Sequence, residues 1–178
     1  EWVPARTHKS GQHVYDVLVV GGGQSGLGAL FALGREKVTN ILAVDRSTAG
    51  REGPWVTYAR MRQLRTHKDI TGPALGIPSL TPRAWYTARY GADAWDALVR
   101  IPRTDWQEYL NWYRQTLDLP VWNETEVGPL TPDEPDNPDS LIRVPLTATG
   151  PNGRTETLLA REVVLANGLE GCGVWHIP

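Results

Sequence analysis

A glycine-rich run near the amino terminus has the residue types and the spacing that bind a pyrophosphate. Gly21, Gly23 and Gly26 occupy the three glycine positions of a G-x-G-x-x-G pattern. The first glycine allows a tight turn, the second lets the backbone approach a pyrophosphate, and the third lets a helix pack closely on a strand. Free N–H groups at the start of that helix would then face the anion. The predicted phosphate-binding residues are Gly21, Gly22, Gly23, Gln24, Ser25 and Gly26.

An acidic residue follows the glycine run at the distance that a dinucleotide site requires. Asp45 ends the next apolar run, where a carboxylate accepts hydrogen bonds from ribose hydroxyl groups. The residue spacing excludes two other motifs, a nucleophile elbow and a lysine-bearing phosphate loop. A nucleophile elbow around Ser25 would need glycine at position 27, which is Leu27, and no Gly-Lys-Ser/Thr follows the run. The four histidines form no metal-ligand pair at helical spacing, so we expect no metal site.

Hydrophobic patterning places these residues in a βαβ unit. His13 to Val20 reads as a strand buried on both faces, Gln24 to Glu36 as a helix, and Asn40 to Asp45 as a second buried strand. Such a unit forms a parallel strand pair with a right-handed crossover. Residues 1–13 have no period and read as an irregular lead-in, so the predicted domain covers 14–178.

The remainder of the chain predicts two more helices and an antiparallel segment. A short helix is expected around Asp93 to Val99, and a longer one from Thr104, with a capping box to Gln107. Its apolar stripe should face the core and comprises Trp106, Leu110, Tyr113 and Leu117. The predicted strands are Val121 to Val127, Leu141 to Thr149, Arg154 to Leu159 after a Pro-Asn-Gly turn, and Arg161 to Ala166.

Composition excludes several classes of protein. The 18 Lys and Arg residues against 20 Asp and Glu residues give a net charge of −2, which provides no electrostatic footprint for nucleic acid. A single cysteine excludes a disulfide framework, and no apolar run approaches the roughly 18 residues that span a bilayer. We therefore expect neither nucleic acid nor a membrane as a partner. The expected partner is a small-molecule substrate, and the expected location is cytoplasmic.

Further motifs resemble those of a flavoprotein family. Gly53-Pro54-Trp55 looks like the Gly-x-Trp segment of class B flavoprotein monooxygenases and amino-acid N-hydroxylases, and Ala166-Asn167-Gly168 resembles their Ala-Thr-Gly element. The chain is thus similar to FAD/NAD(P)-binding oxidoreductases related to these enzymes. Asp45 stands where they more often have Glu, and Asn167 where they have Thr. The implied fold class is α/β: a Rossmann-like, three-layer FAD-binding domain with a parallel sheet and an inserted antiparallel β-meander.

The resemblance assigns further residues to the cofactor. It implies that the backbone of Val127 contacts the adenine of FAD and that a basic loop lines the isoalloxazine side. Arg46 either pairs with the 2′-phosphate of NADP or packs on the FAD adenine, which we favour. Basic side chains of the loop either stabilise an anionic flavin or face water or the pyrophosphate. The loop residues assigned to the site are Arg60, Leu64, Arg65, Thr66 and Lys68.

The resemblance also implies an activity for a longer parent protein. NADPH would reduce FAD, and the reduced flavin would form a C4a-hydroperoxide that transfers oxygen to the substrate. No second G-x-G-x-x-G for NADPH is present, so we expect the chain to be the first flavin-domain segment, without the NADPH domain and the return segment, and to contact that remainder or form an oligomer. Alternatives are a flavoprotein oxidoreductase that does not hydroxylate and a nucleotide-binding module without catalysis. No catalytic residue is assigned.

Overall fold

The computed structural model describes residues 4–69, 72–149 and 153–172. Its strands are β1 (Val14–Val20), β2 (Ile41–Val44), β3 (Val121–Trp122), β4 (Thr125–Val127), β5 (Thr131–Pro132), β6 (Ile142–Ala148) and β7 (Thr155–Leu165). Its α-helices are α1 (Gln24–Arg35), α2 (Pro82–Tyr90), α3 (Ala92–Ala97) and α4 (Arg103–Thr116), with 3-10 helices at Pro78–Leu80 and Leu169–Cys172. No helix within these ranges has the length and apolar character needed to cross a bilayer.

The strands form one mixed sheet in the order β3-β2-β1-β7-β6-β4, with β5 on β6. The first four strands in this order are mutually parallel, and the pairs β6–β7, β4–β6 and β5–β6 are antiparallel. β7 joins the two parts, because its carboxyl-terminal portion pairs with β1 and its amino-terminal portion pairs with β6. A parallel sheet with an antiparallel meander is therefore confirmed.

Alternating side chains bury both faces of the parallel strands, as two-sided coverage requires. On one face, Val17 and Val19 of β1 and Ala43 of β2 form a cluster with Leu30 of α1. On the other face, Leu18 and Leu42 cluster with side chains of the meander. The buried residues of this second cluster are Leu18, Leu42, Val44, Val144, Leu146 and Ala160. Helix α1, the parallel strands and the antiparallel meander folded against them therefore form the three predicted layers.

The helices after residue 77 pack together through an aromatic core. Tyr109 and Tyr113 of α4 are fully buried, and their hydroxyl groups donate to the carbonyl oxygens of Leu80, at 2.8 Å, and Pro73, at 2.6 Å. Burial raises the pKa of both phenols. Trp106, Leu110 and Tyr113 are buried and Leu117 partly so, which confirms the stripe predicted for this helix. Leu27 of α1 joins the same cluster, so α1 lies between the sheet and the aromatic core.

Three features of the local structure differ from the prediction. The capping box is absent, because α4 begins at Arg103 after Pro102, which is the N-cap without a side-chain hydrogen bond. The strand expected over Val121 to Val127 is split into β3 and β4 around Glu124, which has a positive φ of 52°. The strands expected at Arg154 to Leu159 and Arg161 to Ala166 form the single strand β7.

Helix α2 lies in a stretch that was not predicted to be helical. Its start nevertheless follows a local rule, since Thr81 accepts a hydrogen bond from the Ala84 N–H at 3.2 Å and Pro82 occupies the first helical position. The short helix expected around Asp93 to Val99 is present as α3. Of the turn expected at 151–153, Pro151 and Asn152 lie outside the described residues.

Candidate dinucleotide-binding site

A cavity of about 560 Å³ opens at the carboxyl ends of β1, β2 and β7. This volume is within the range of about 300–1,000 Å³ that is usual for small-molecule sites, and the position is the one at which open α/β sheets bind ligands. The sequence-predicted residues that line it are Gly21, Gly23, Gln24, Ser25, Asp45, Arg46, Gly53, Pro54, Trp55, Val127, Ala166, Asn167 and Gly168.

The amino terminus of α1 points free backbone donors at this cavity. Gly23 is the N-cap and makes no side-chain cap, and the first intrahelical bond runs from the Leu27 N–H to the Gly23 carbonyl at 2.9 Å. The N–H groups of the first turn therefore have no partner within the helix. That turn contains no acidic residue, so the positive end of the helix dipole is not compensated there. This arrangement favours an anion.

The glycines of the turn differ in why a side chain would not fit. A Cβ on Gly26 would lie 1.8 Å from the Gly21 carbonyl oxygen, and one on Gly21, which has a φ of +108°, would lie 2.5 Å from the Ala166 carbonyl oxygen. Helix–strand packing and the turn therefore require these two glycines. A Cβ on Gly23 would meet its nearest protein atoms, the N and Cα of Gly53, only at 3.9 Å. Space within the protein does not explain Gly23, whereas close approach by a ligand does.

Asp45 fixes the turn with both of its carboxylate oxygens. Oδ2 accepts from the Gly22 N–H at 2.7 Å, and Oδ1 accepts from the Ser47 N–H at 2.8 Å. A carboxylate has further acceptor positions, so these bonds leave room for a ribose hydroxyl group at the cavity. Arg46 follows on the exposed rim.

The Gly53-Pro54-Trp55 segment forms a wall of the cavity beside the turn. Its backbone is held by a hydrogen bond from the Thr57 hydroxyl to the Gly53 carbonyl at 2.7 Å, and by one from the Arg103 guanidinium to the Trp55 carbonyl. The Trp55 ring meets Trp106 edge to face, with centroids 6.2 Å apart. The wall is thereby attached to helix α4.

Strand register orients the backbone of Val127 toward the cavity. The Gly128 N–H donates to the Pro145 carbonyl, and the Thr149 N–H donates to the Glu124 carbonyl. Because hydrogen-bonded positions alternate in an antiparallel pair, the N–H and C=O of Val127 point away from β6. Val127 lines the cavity, so these two groups are available to an adenine edge.

Charge at the cavity is mixed. Among the described residues, its lining side chains that are charged at neutral pH are Asp45, Arg46 and Glu126. With two acids and one base, side chains supply no net positive charge to hold a pyrophosphate. Backbone N–H groups and the start of α1 must therefore provide most of the attraction for such a group.

The remaining predicted residues lie away from this lining. Gly22 and Gly26 are buried behind it in the turn. Leu64 is 6% exposed and belongs to the aromatic core, and Lys68 donates to the Trp95 carbonyl at 2.6 Å. None of Arg60, Leu64, Arg65, Thr66 and Lys68 is among the described residues that line the cavity. A role for this loop beside the isoalloxazine stays a prediction.

Sequence reasoning missed other residues at the cavity and behind it. Ser47, Thr57, Tyr58, Thr125, Glu126 and Leu169 also line it. Tyr58, 51% exposed and three residues after Trp55, could have been found as an aromatic next to the assigned segment. Glu52, 4% exposed, pairs with Arg114 behind the turn. The only sequence signal for a role of Glu52 was its position next to Gly53, because its partner Arg114 lies far away in sequence.

Comparison with known proteins identifies the family to which the chain belongs. A family model described as FAD-NAD(P)-binding matches residues 18–170. An FAD-dependent urate hydroxylase from Xanthomonas campestris pv. campestris is 52% identical over 177 residues, which are 99% of this chain and 35% of that protein. The chain therefore spans about a third of the length of this curated relative.

Solved structures of a hydroxylase and a monooxygenase share the fold. Ornithine hydroxylase from Pseudomonas aeruginosa matches with a TM-score of 0.73 and 19% identity, over 93% of this chain and 40% of that chain. The cadaverine monooxygenase of desferrioxamine biosynthesis from Erwinia amylovora, solved bound to FAD, matches with a TM-score of 0.69 and 20% identity, over 88% of this chain and 36% of that chain.

Proposed function

The chain belongs to the FAD-NAD(P)-binding family, and from this premise we propose that it is the FAD-binding part of an NADPH-dependent flavoprotein monooxygenase. The observation that carries the proposal is the open position at Gly23. It faces the cavity at the start of α1, where a Cβ would have room within the protein yet the residue is glycine. Such a position suits the pyrophosphate of a dinucleotide.

The residues of the cavity divide into four tasks. The turn and the first N–H groups of α1 bind the pyrophosphate, Asp45 accepts from the ribose, and the backbone of Val127 reads the adenine. Arg46, on the rim, packs on the adenine. Gly53-Pro54-Trp55 and Ala166-Asn167-Gly168 flank the path toward the flavin ring.

The chemistry itself belongs to the cofactor. When bound and reduced, FAD would supply the activation of O₂ and the transfer of one oxygen atom to the substrate. The chain orients the cofactor and provides a cavity wall that limits the access of water. This wall contains the Trp55 ring, packed against Trp106, and the exposed Tyr58. We assign no proton transfer to a side chain of this segment.

Urate or a closely related purine is the proposed substrate class of the whole protein. The support is the 52% identity to the Xanthomonas enzyme described as an FAD-dependent urate hydroxylase. NADPH is the proposed reductant and the cytoplasm the proposed location, since the single cysteine gives the chain no internal disulfide that an oxidising compartment would maintain.

Oxygen incorporation tests the proposal. The full-length protein is supplied with FAD, NADPH, urate and isotopically labelled dioxygen, and NADPH consumption and product mass are followed. We expect urate to accelerate NADPH consumption and the product to contain one labelled oxygen atom. NADPH consumption that urate leaves unchanged would contradict the substrate, and NADPH oxidation without labelled oxygen in the product would favour a flavoprotein oxidoreductase that does not hydroxylate.

A further inference from the structure

A buried polar cluster lies directly behind the glycine turn. It consists of Glu52, Arg114 and Asn123, here called the Glu52 cluster. The Glu52 side chain is 5% exposed, and its Oε1 accepts from Arg114 Nη1 at 2.8 Å and from Asn123 Nδ2 at 2.6 Å. The two donors also bond each other, because Arg114 Nη1 donates to Asn123 Oδ1 at 2.8 Å. A carboxylate this deeply buried is uncommon unless it is paired.

The cluster connects helix α4 with the loop after β2, part of which lines the cavity, and with β3, although none of the cluster's own residues lines the cavity. Glu52 directly precedes Gly53. Arg114 Nη2 donates to the Val121 carbonyl in β3 at 2.8 Å, and Asn123 Nδ2 donates to the Ser47 carbonyl after β2 at 3.1 Å. Helix α4, through Arg114, therefore holds the loop after β2 and the connection from β3 to β4 in one arrangement.

The position of Glu52 links this arrangement to the phosphate turn. The Glu52 Cγ lies 3.5 Å from where a Cβ of Gly22 would be, and the Gly53 backbone lies 3.9 Å from where a Cβ of Gly23 would be. Residues 45–53 contain no helix or strand. Backbone bonds from the Thr125 and Glu124 N–H groups hold the carbonyls of Asp45 and Ser47 at the start of this loop. At its end, the Glu52 side chain provides the bonds to Arg114 and Asn123.

We propose that the Glu52 cluster positions the cofactor: it holds Gly53-Pro54-Trp55 beside the glycine turn in the arrangement that binds FAD. This inference rests on the proposed function. Glu52, Arg114 and Asn123 are positioning residues, since they act on the ligand through the backbone that they support.

Charge balance is part of the same role. Glu52 would place a negative charge behind a pyrophosphate site, and the Arg114 guanidinium compensates it at hydrogen-bond distance. Removing one partner of such a pair leaves an uncompensated buried charge. Glu52→Gln keeps an oxygen acceptor of the same size but removes the negative charge that strengthens both hydrogen bonds. It is therefore the mildest change that weakens the support of the Gly53-Pro54-Trp55 segment.

A matched carboxylate on the surface provides the control. Glu108, on α4, accepts from Arg89 at 2.7 Å, and the side chains of this pair are 46% and 51% exposed. Exposed ion pairs contribute about 0–1 kcal/mol to stability. Glu108→Gln thus makes the same chemical change on an ion pair that has no contact with the cavity.

The experiment compares FAD binding by the full-length protein and its Glu52→Gln, Asn123→Ser and Glu108→Gln variants. Each is titrated with FAD at a temperature at which the flavin-free form is folded by circular dichroism. The visible circular dichroism of the saturated flavin is then recorded, because it reports the surroundings of the ring and not global stability. We expect Glu52→Gln and Asn123→Ser to bind FAD at least about tenfold more weakly, with an altered flavin spectrum, and Glu108→Gln to match the wild type.

The outcomes separate this inference from the proposed function. If the wild type does not bind FAD, the proposed function fails. If the wild type binds FAD and both cluster variants bind it within about twofold, with the wild-type flavin spectrum, the positioning role is wrong. Should Glu52→Gln not fold without flavin, Asn123→Ser decides alone, because it removes one donor from Glu52 and leaves the ion pair intact.

Discussion

Replacing Gly23 by alanine separates ligand binding from folding at the glycine turn. Gly23 has a φ of −74° and a ψ of −169°, an extended conformation that alanine also adopts. The added methyl group would lie 3.9 Å from its nearest protein atoms, which is ordinary van der Waals contact. We therefore expect the free energy of unfolding of the flavin-free protein to change by no more than about 0.5 kcal/mol.

The same methyl group would lie where the pyrophosphate approaches the backbone. Hydrogen bonds to a charged group contribute about 1.5–3 kcal/mol each, and losing one corresponds to about ten- to a hundredfold weaker binding. Gly23→Ala should therefore raise the Kd for FAD by this factor.

Two glycines of the same helix provide controls. A Cβ on Gly26 would lie 1.8 Å from the Gly21 carbonyl oxygen, so Gly26→Ala should destabilise the flavin-free fold by about 1–3 kcal/mol or more. A Cβ on Gly34 would have no neighbour within 4 Å among the described residues. Gly34→Ala should leave FAD binding unchanged and stabilise the helix by up to about 1 kcal/mol.

The assay combines FAD titration with thermal unfolding of the flavin-free protein for all three variants. We expect Gly23→Ala to lose affinity for FAD without losing stability, and Gly26→Ala to lose stability. Wild-type affinity in a folded Gly23→Ala variant would show that the pyrophosphate does not approach this position.

Two further predictions concern the fold. Tyr113→Phe removes the buried donor to the Pro73 carbonyl and should destabilise the protein by about 1–3 kcal/mol, measured by urea unfolding. The Arg143 guanidinium, and then His8, hold the pKa of Asp133 below its usual range. This carboxylate therefore stabilises the fold at pH values above its unfolded-state pKa, about 3.9. The stabilisation is lost as the pH falls through the lowered folded-state pKa. The Tm difference between wild type and Asp133→Asn should therefore be present at neutral pH and vanish in strong acid; a difference that grows on acidification would contradict the assignment.

Local pattern was enough to predict the residues that follow parallel strands. The glycine run, Asp45 and Ala166-Asn167-Gly168 come directly after apolar runs, and the carboxyl ends of parallel strands meet at one edge of a sheet. Their assembly around one cavity thus followed from strand prediction alone. The Gly23→Ala variant tests the role of Gly23 in binding FAD, and the roles of Asp45 and Ala166-Asn167-Gly168 stay predictions.

Tertiary contacts decided what the sequence did not predict. The loop at 60–68 is held by non-local backbone bonds, such as that from the Leu64 N–H to the Ile101 carbonyl at 2.9 Å, and no local period encodes them. The pairing of Glu52 with Arg114 joins residues 62 positions apart. Helix α2 was missed for a different reason: Thr81-Pro82 is a valid helix start, but the surrounding glycines, prolines and aromatics favoured a loop.

The nucleotide that the purified protein retains shows directly whether the protein binds FAD. Absorbance between about 350 and 500 nm is recorded, and the nucleotide released by denaturation is identified by mass and quantified against protein. We expect a yellow protein that releases FAD, one molecule per chain, or that takes up FAD to this ratio when it is supplied. A colourless protein that takes up NADP but not FAD would contradict it.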